Sequence, residues 1–412
     1  MNKVRVLYSF PHKLGADRIC YTAWQQVNGL AAAGAEVMVH AGVLQRPVPP
    51  EVAVYTTLSR GRIRIPYRLL GTMNALALHD YIVSRRIENL KDQVDIIHTW
   101  PDAALRTLKV ATRLGIPTVL ERPNAHTRYA YESVQREAQR IGVVLPPTDE
   151  YAFKEDVLER EEAEYRLTDF LLCPSDFTIK TFLNQGIPAE KLLKHGYGFD
   201  AKTCYPDLSR VADAHRSLTM LFAGVAAVRK GLHFALEAWL NSPARENGTF
   251  LIAGHVLPAY AERFSEMLSH PSVKVLGHRQ DVPNLMRQSD LFVLPSIEEG
   301  FGLVCVEAMG CGSVPLVSEA CTDVCRHMQN ALVHEVGNVK QLTEHITLLH
   351  ENRDLLARLR EASILEAPQH TWTATGRRLL EVYREAIERK RGRTARADVA
   401  SLATLPNPSN IQ

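Results

Sequence analysis

The sequence predicts an α/β protein built from two doubly wound domains. Short apolar strands alternate with helical segments in two successive series along the 412 residues. The first series opens with a strand at 4–9, a helix at 19–31 and a strand at 36–40, and such a unit requires parallel strands. Apolar residues make up 46% of the chain, which is enough for two hydrophobic cores.

The first series continues with apolar runs and helical spacing through residue 184. Gly34 and Gly115 end two of its helices, as glycine commonly does at a helix C-terminus. The further predicted strands are at 94–98, 117–120 and 170–174, and the further predicted helices are at 76–90, 103–114, 150–166 and 176–184.

A polar stretch without periodicity at 201–218 predicts the boundary between two domains, at 1–205 and 206–371. A long amphipathic helix at 372–390 and a disordered tail at 391–412 would follow. The second series contains predicted strands at 218–223, 250–253, 273–276, 291–294 and 315–317, and predicted helices at 231–239, 282–288, 303–309 and 339–349.

Charge and composition exclude several classes of protein. The 48 Lys and Arg residues oppose 46 Asp and Glu residues, so nucleic acid is not an expected partner of the whole chain. No run approaches the ~20 apolar residues of a membrane span, and the N-terminus lacks the pattern of a signal peptide. Seven cysteines without zinc-site spacing fit free thiols. These features predict a cytoplasmic protein.

The segment 296–315 is the strongest candidate site. Two acids follow a strand, then come Gly300, Phe301 and Gly302, and a helix begins at Leu303. Glycines allow close approach of a ligand to the backbone, and a helix N-terminus favours an anion such as phosphate. Glu299 in the loop, and Glu307 inside the apolar helix, are carboxylates suited to sugar hydroxyls. A solvated or ion-paired Glu307 is the alternative interpretation.

A second candidate site is the loop 222–231. Gly224 follows a strand, Gly231 opens a helix, and Arg229 and Lys230 precede that helix. Two cations there could clamp a phosphate, although ordinary surface charges are the more common explanation of such a pair. Two weaker candidates are Gly15, which follows the first strand outside any GxGxxG pattern, and His126, which follows a predicted strand end.

The acids Glu299 and Glu307, with Gly-Phe-Gly-Leu between them, resemble the E-x7-E motif of the retaining glycosyltransferases of family 4. That resemblance implies the GT-B fold, in which two Rossmann-like domains face each other across a cleft. Weaker resemblances support it along most of the chain, at residues 95–98, 194–200, 224–231, 273–290 and 372–383.

The resemblance also implies roles for particular residues. Glu299 would bind hydroxyls of the donor sugar, and Glu307 would bind the ribose of the nucleotide. Lys230, with Arg229, would neutralise the diphosphate leaving group. The remaining implied contacts to the donor or to the transferred sugar are Gly15, His126, Gly224, Gly300, and the amides of Phe301, Gly302 and Leu303. Two departures from the family pattern are Val225, where an Arg is usual, and Leu14, where a Gly is usual.

The activity implied is transfer of a sugar from a nucleotide-diphosphate sugar to an acceptor hydroxyl with retention of configuration. No metal or other cofactor is implied, because the cations and the helix N-terminus would stabilise the leaving diphosphate. Two alternatives remain open: a sugar-nucleotide epimerase of the same fold and a non-catalytic sugar-nucleotide-binding protein. A phosphorylase would show a pyridoxal-binding Lys, for which the sequence has no signal. The donor base, the sugar and the acceptor are not determined by the sequence.

A peripheral membrane contact is a further hypothesis. Arg60, Arg62, Arg64 and Arg68 alternate with apolar residues within 60–70, a pattern that could touch anionic lipid carrying a lipid-linked acceptor. A solvated segment beside the acceptor site is the alternative.

Overall fold

A computed structural model describes residues 3–60, 63–64, 70–211 and 216–403. Contacts divide the chain into two compact units. The first unit comprises Met1–Glu121, Glu159–Leu172 and Gly376–Gln412, and the second comprises Arg122–Leu158 and Cys173–Thr375. Each unit joins segments that are distant in the sequence. The domain boundary after residue 205 stays a prediction.

The helices and strands follow one another in this order. Up to residue 121 they are β1 (Arg5–Leu14), α1 (Ile19–Ala32), β2 (Glu36–Leu44), β3 (Ala53–Thr56), β4 (Ser59–Arg60), β5 (Ile63–Arg64), α2 (Thr72–Ile87), β6 (Ile96–Thr99), α3 (Leu105–Leu114) and β7 (Thr118–Glu121). Up to residue 211 they are α4 (Thr127–Ile141), α5 (Glu155–Leu167), β8 (Phe170–Cys173), α6 (Asp176–Asn184), β9 (Leu192–Lys194) and α7 (Leu208–Val211). From residue 216 they are β10 (Thr219–Ala223), α8 (Leu232–Asn241), β11 (Thr249–Ala253), α9 (Pro258–Arg263), α10 (Ser265–Leu268), β12 (Val273–Gly277), α11 (Val282–Gln288), β13 (Leu291–Leu294), α12 (Leu303–Cys311), β14 (Val314–Ser318), β15 (Leu332–His334), α13 (Val339–Glu351), α14 (Arg353–Glu366) and α15 (Trp372–Ala403).

The first unit contains a parallel sheet in the order β3-β2-β1-β6-β7-β8. Counted along the chain this is the order 3-2-1-4-5-6 of a doubly wound fold, with its switch point between β1 and β6. Strands β4 and β5 form a separate antiparallel pair.

The second unit repeats this order in the parallel sheet β12-β11-β10-β13-β14-β15. All four residues of β13 are buried, as expected for a strand covered by helices on both faces. The largest fully buried side chains of the second unit include Trp239, Tyr260, Phe222, Phe250 and Phe292. Two Rossmann-like sheets are thus present, and the predicted fold class is confirmed.

The last helix packs directly against the first within the first unit. A Cβ atom at Gly376 of α15 would lie 2.5 Å from the Cα atom of Gly29 in α1. Further along α15, the Tyr383 hydroxyl lies 2.6 Å from Nδ1 of His98 in β6. The helix therefore joins the first unit from Gly376 onward.

Several segments differ from expectation or lie outside the described residues. Among them, helix α14 and strands β3 and β15 form where no helix or strand is predicted. Helix α15 continues to Ala403, beyond the predicted end at 390, while the rest of the predicted disordered tail, 404–412, lies outside the described residues. Helix α4 occupies 127–141, where no helix is predicted. The basic segment 60–70 is described only in part, since residues 61, 62 and 65–69 lie outside the description. Within the described residues, no helix is long and apolar enough to cross a membrane.

A buried ion pair fixes the start of the second sheet. Asp290, which is 1% exposed, accepts hydrogen bonds from the Thr219 amide at 2.9 Å and from the Arg360 guanidinium at 2.8 Å. Arg216 pairs with the same carboxylate. Arg360 is itself buried and also donates to the Gly312 carbonyl at 2.9 Å. Asp290, the residue before β13, thus joins the start of β10 to α14.

We expect Asp290→Ala to lower the free energy of unfolding of the second unit by ~3–5 kcal/mol, because Arg360 would be left buried without its counter-charge. Urea denaturation measures this change. The matched control is Arg279→Ala, which removes a solvent-exposed pair with Asp281 and should cost far less stability. Equal losses in the two variants would contradict the role of Asp290.

Candidate functional site

Two loops meet at the switch point of the second sheet. One follows β10 and contains Arg229 and Lys230, and the other follows β13 and contains Glu298 and Glu299. Their strands are neighbours in the sheet, so both loops leave at the same carboxyl edge, where doubly wound folds bind ligands. The amide of Ile297 donates to the Arg229 carbonyl at 2.8 Å, which joins the loops through their backbones.

Glycine is required at two close approaches around these loops. Gly231 has φ of +63°, and a Cβ atom there would lie 2.1 Å from the Pro295 carbonyl oxygen. A Cβ atom at Gly300 would lie 1.6 Å from the Pro123 carbonyl oxygen. With a larger residue, position 231 could not approach Pro295 and position 300 could not approach Pro123 so closely. The two glycines therefore determine the shape of the site.

Four charged side chains, two buried carboxylates and two half-buried cations, form a cluster where the loops meet. The Lys230 ammonium contacts Oε2 of Glu299. Nη1 of Arg229 lies 3.2 Å from Oε1 of Glu299 and 3.6 Å from Oε2 of Glu298. The Arg229 guanidinium also lies 5.1 Å from the ring centre of Tyr151. Charges removed from water must be paired, and here two cations balance two carboxylates.

The cluster shifts the pKa values of the two acids in opposite directions. Burial alone would raise the pKa of Glu299, but the positive charges of Arg229 and Lys230 lower it to about 2. The pKa of Glu298 is raised, because burial outweighs the attraction of Arg229 and Glu299 repels a second negative charge. Glu299 is therefore the firmly ionised member of the pair.

Helix α12 begins beside the cluster with unused backbone donors. Gly302, at φ +65°, precedes its first residue, Leu303. The amides of Phe301, Gly302 and Leu303 make no hydrogen bond to any of the described residues. Phe301 is buried and packs edge-on against Tyr197 at 5.7 Å between ring centres. The N-terminus of this nine-residue helix thus offers an anion site with a fixed backbone.

Glu307 lies on α12, eight residues beyond Glu299 and half-buried. Its carboxyl group has no hydrogen bond or ion pair with any side chain in the described part of the chain. Burial raises the pKa of Glu307 to about 7. An unpaired carboxyl of this kind is free to accept hydrogen bonds from the hydroxyl groups of a ligand.

His126 is buried at the start of α4. Its Nδ1 accepts a hydrogen bond from the Arg128 amide at 3.2 Å, and its own amide donates to the Thr181 hydroxyl at 3.0 Å. The preceding residue, Ala125, donates its amide to Oε1 of Glu298 at 2.9 Å. The loop carrying His126 is therefore tied to the charged cluster, and the contact of His126 with a sugar stays a prediction.

Gly224 and Gly15 are the two remaining predicted glycines. Gly224 follows β10 at φ +147°, and its amide donates to the Ala253 carbonyl at 2.9 Å. Open space surrounds the position of its absent Cβ atom. Gly15 belongs to the first unit, at φ +86°, and its amide donates to the Cys20 carbonyl at 3.1 Å.

The structure adds site residues that the sequence does not predict. Glu298 precedes Glu299 in the sequence, so its position near the site could be predicted. Its contacts with Arg229 and the Ala125 amide could not. Ser175 and Thr178, at the start of α6, donate to the Gly300 carbonyl at 2.7 and 3.2 Å. Tyr151 carries no signal in the sequence. In the described residues, no group of three or more His, Cys, Asp and Glu side chains is arranged to hold a metal ion.

Comparison with solved structures identifies the fold. Sucrose-phosphate synthase from Thermosynechococcus elongatus superimposes with a TM-score of 0.67 at 18% identity, covering 93% of this chain and 99% of that one. Anabaena HepE in complex with UDP gives a TM-score of 0.63 at 16% identity over 93% and 100%. The fold is of the GT-B type.

Sequence comparison agrees within the second unit. Residues 217–352 match the family described as glycosyl transferases group 1. A curated relative, the N,N'-diacetylbacillosaminyl-diphospho-undecaprenol alpha-1,3-N-acetylgalactosaminyltransferase of Campylobacter jejuni, is 34% identical over 125 residues. That match covers 30% of this chain and spans about a third of the relative's length, 33%. The GT-B chain thus carries a group 1 domain that includes both site loops.

We expect Glu307→Gln to stabilise the empty protein above pH 7. The raised pKa means that the folded state retains the proton more tightly than the unfolded state, so stability falls as pH rises from about 4.5 to about 7. The variant should lack this fall and be more stable by ~2 kcal/mol at pH 8. Urea denaturation at pH 5, 6, 7 and 8 measures it, with the exposed Glu262→Gln as control. Parallel pH dependence in wild type and Glu307→Gln would refute this expectation.

We expect Gly231→Ala to destabilise the second unit more than Gly277→Ala. Both glycines have left-handed φ values, +63° and +66°, so both substitutions cost the strain of that conformation, ~1 kcal/mol. A Cβ atom at Gly277 meets nothing within 4 Å, whereas one at Gly231 meets the Pro295 carbonyl. The extra overlap should add ~2 kcal/mol in a denaturation experiment. Similar losses would show that the loops separate easily.

Proposed function

We propose that this protein is a retaining glycosyltransferase of family 4, transferring a sugar from a nucleotide-diphosphate sugar to an acceptor hydroxyl. The observation that carries the proposal is the position of Lys230 and Glu299, in contact with each other at the switch point and beside the unused amides of α12. A cation, a carboxylate and free N–H donors are what a diphosphate joined to a sugar needs.

In the proposed reaction the donor loses its diphosphate through a transition state with oxocarbenium character. Negative charge grows on the β-phosphate, where the Lys230 ammonium and the N-terminus of α12 stabilise it. Arg229 adds positive charge to the same loop. No metal ion is needed in this scheme, since these groups supply the positive potential.

Glu299 and Glu307 have different roles in the proposal. Glu299, with a pKa of about 2, is ionised under all working conditions and accepts hydrogen bonds from hydroxyls of the donor sugar. Glu307 accepts hydrogen bonds from the ribose. His126 contacts the transferred sugar, and the acceptor hydroxyl attacks from the face that the leaving phosphate vacates, with that phosphate taking its proton, so that configuration is retained.

The relatives suggest classes of donor and acceptor to test. Anabaena HepE is solved with UDP, and the name of the Campylobacter relative specifies a saccharide on diphospho-undecaprenol. We propose a nucleotide sugar as donor and a saccharide or a lipid-linked diphosphosaccharide as acceptor, with peripheral membrane contact in the lipid-linked case. A cytoplasmic location stays a prediction.

Glu299→Ala and Lys230→Ala should each lower kcat by at least ~10²-fold. The first removes the carboxylate that holds the donor sugar, and the second removes the positive charge that stabilises the β-phosphate. Release of nucleoside diphosphate from UDP-galactose, UDP-glucose and GDP-mannose, with and without saccharide acceptors, measures the activity. Lys340→Ala, which removes an exposed lysine paired with Glu344, is the matched control. Addition of EDTA should leave turnover unchanged.

The same assay separates the alternatives. Near-normal turnover by Glu299→Ala or Lys230→Ala would overturn the assignment of these residues. Conversion of the donor sugar without any acceptor would indicate an epimerase. UDP binding without turnover would indicate a sugar-nucleotide-binding protein, which the departure at Val225 makes worth testing. An NMR spectrum of the product shows whether the anomeric configuration is retained.

A further inference from the structure

Glu298 is a fully buried carboxylate with two different partners. Its Oε1 accepts a hydrogen bond from the Ala125 amide at 2.9 Å. Its Oε2 lies 3.6 Å from Nη1 of Arg229 and has no hydrogen-bond partner among the described residues. The backbone carbonyl of Glu298 also accepts a hydrogen bond from Nη1 of Arg229 at 3.1 Å. One residue therefore joins the cationic loop to the loop before His126.

The contacts of Arg229 hold it more tightly than those of Lys230. The Arg229 guanidinium lies between the carboxylates of Glu298 and Glu299 and over the ring of Tyr151, and the Arg229 carbonyl accepts the Ile297 amide. Lys230 pairs with Glu299 alone among the described side chains. Lys230 can leave its partner for a phosphate, whereas moving Arg229 would strand Glu298 as an unpaired buried charge.

Burial of a carboxylate at position 298 is energetically unfavourable. Removing a carboxylate from water is strongly unfavourable, and a well-packed apolar residue often serves stability as well. Glu298 also repels Glu299, its neighbour in the sequence. Its charge is therefore better explained by what it holds in place than by stability.

We propose that Glu298 is a positioning residue: it fixes Arg229 beside Glu299 and, through the Ala125 amide, fixes the loop that carries His126. This inference rests on the proposed function. When Lys230 moves to the diphosphate, Arg229 remains as the counter-charge of Glu299, so the Glu299 carboxylate stays ionised and oriented toward the sugar. Arg229 is then a positioning residue as well, and Lys230 is the direct phosphate contact.

The decisive variant is Glu298→Gln, which keeps an oxygen for the Ala125 amide and removes the charge opposite Arg229. We expect kcat to fall ~10- to 100-fold, while the dissociation constant of UDP, measured by calorimetry, changes less than ~3-fold. A merely structural role would lower the melting temperature without this separation of kcat from binding. The exposed Glu266→Gln is the matched control.

A double-mutant cycle tests whether Glu298 acts through Arg229. The variant Glu298→Gln/Arg229→Gln should be no slower than Arg229→Gln alone, because the second change removes what Glu298 positions. Losses that multiply would overturn the inference, as would a kcat for Glu298→Gln within two-fold of wild type. If Glu298→Gln fails to fold, Arg229→Lys decides: it keeps the charge but loses the planar fork, and an unchanged kcat would overturn the inference.

The outcome for the wild-type protein separates this inference from the proposed function. If wild type releases nucleoside diphosphate from one of the three donors and Glu298→Gln matches it, the inference fails and the proposed function stands. If wild type neither binds UDP nor turns over any donor, the proposed function fails and the inference fails with it.

Discussion

The pairing of two buried carboxylates with two half-buried cations is the constraint around which the second unit is organised. Glu298 and Glu299 are removed from water and would be strongly unfavourable without Arg229 and Lys230. Their pairing requires two loops to meet within hydrogen-bond distance, and the loops can meet because β10 and β13 are neighbours in the sheet. The glycines at 231 and 300 follow from this requirement, since a side chain at either position would overlap a carbonyl oxygen.

Much of the fold could be predicted from the sequence because parallel sheets buried on both faces leave strong local signals. The predicted bounds of α6, α11 and β13 agree with the structure, since each is an apolar or helical run between clear turn residues. Helix α4 was missed because its charged and polar residues hide the apolar positions 130, 134, 138 and 141 on its buried face. Strand β15, only three residues long, has two apolar residues followed by His334, which is too short a run to predict a strand.

The candidate site was predictable in its residues but not in its contacts. Glu299 and Lys230 stand 69 positions apart, and no local pattern says that they touch; the expectation came from a motif and from the order of strands. Tyr151 and the Ala125 amide reach the cluster from a segment that lies outside the strand–helix alternation of the second series. Long-range contacts of this kind depend on how whole helices pack, which sequence periodicity does not record.

The contact between Lys230 and Glu299 has a consequence for the rate at which product is released. In the empty protein the ammonium already has a partner, so a diphosphate must compete with an internal carboxylate for it. On the proposed function, that competition weakens the affinity for both donor and product. After transfer, the Lys230 ammonium pairs with the Glu299 carboxylate again, and this pairing favours departure of the nucleoside diphosphate. The ion pair therefore shortens the residence time of the spent nucleotide, so that tight product binding does not limit the next cycle.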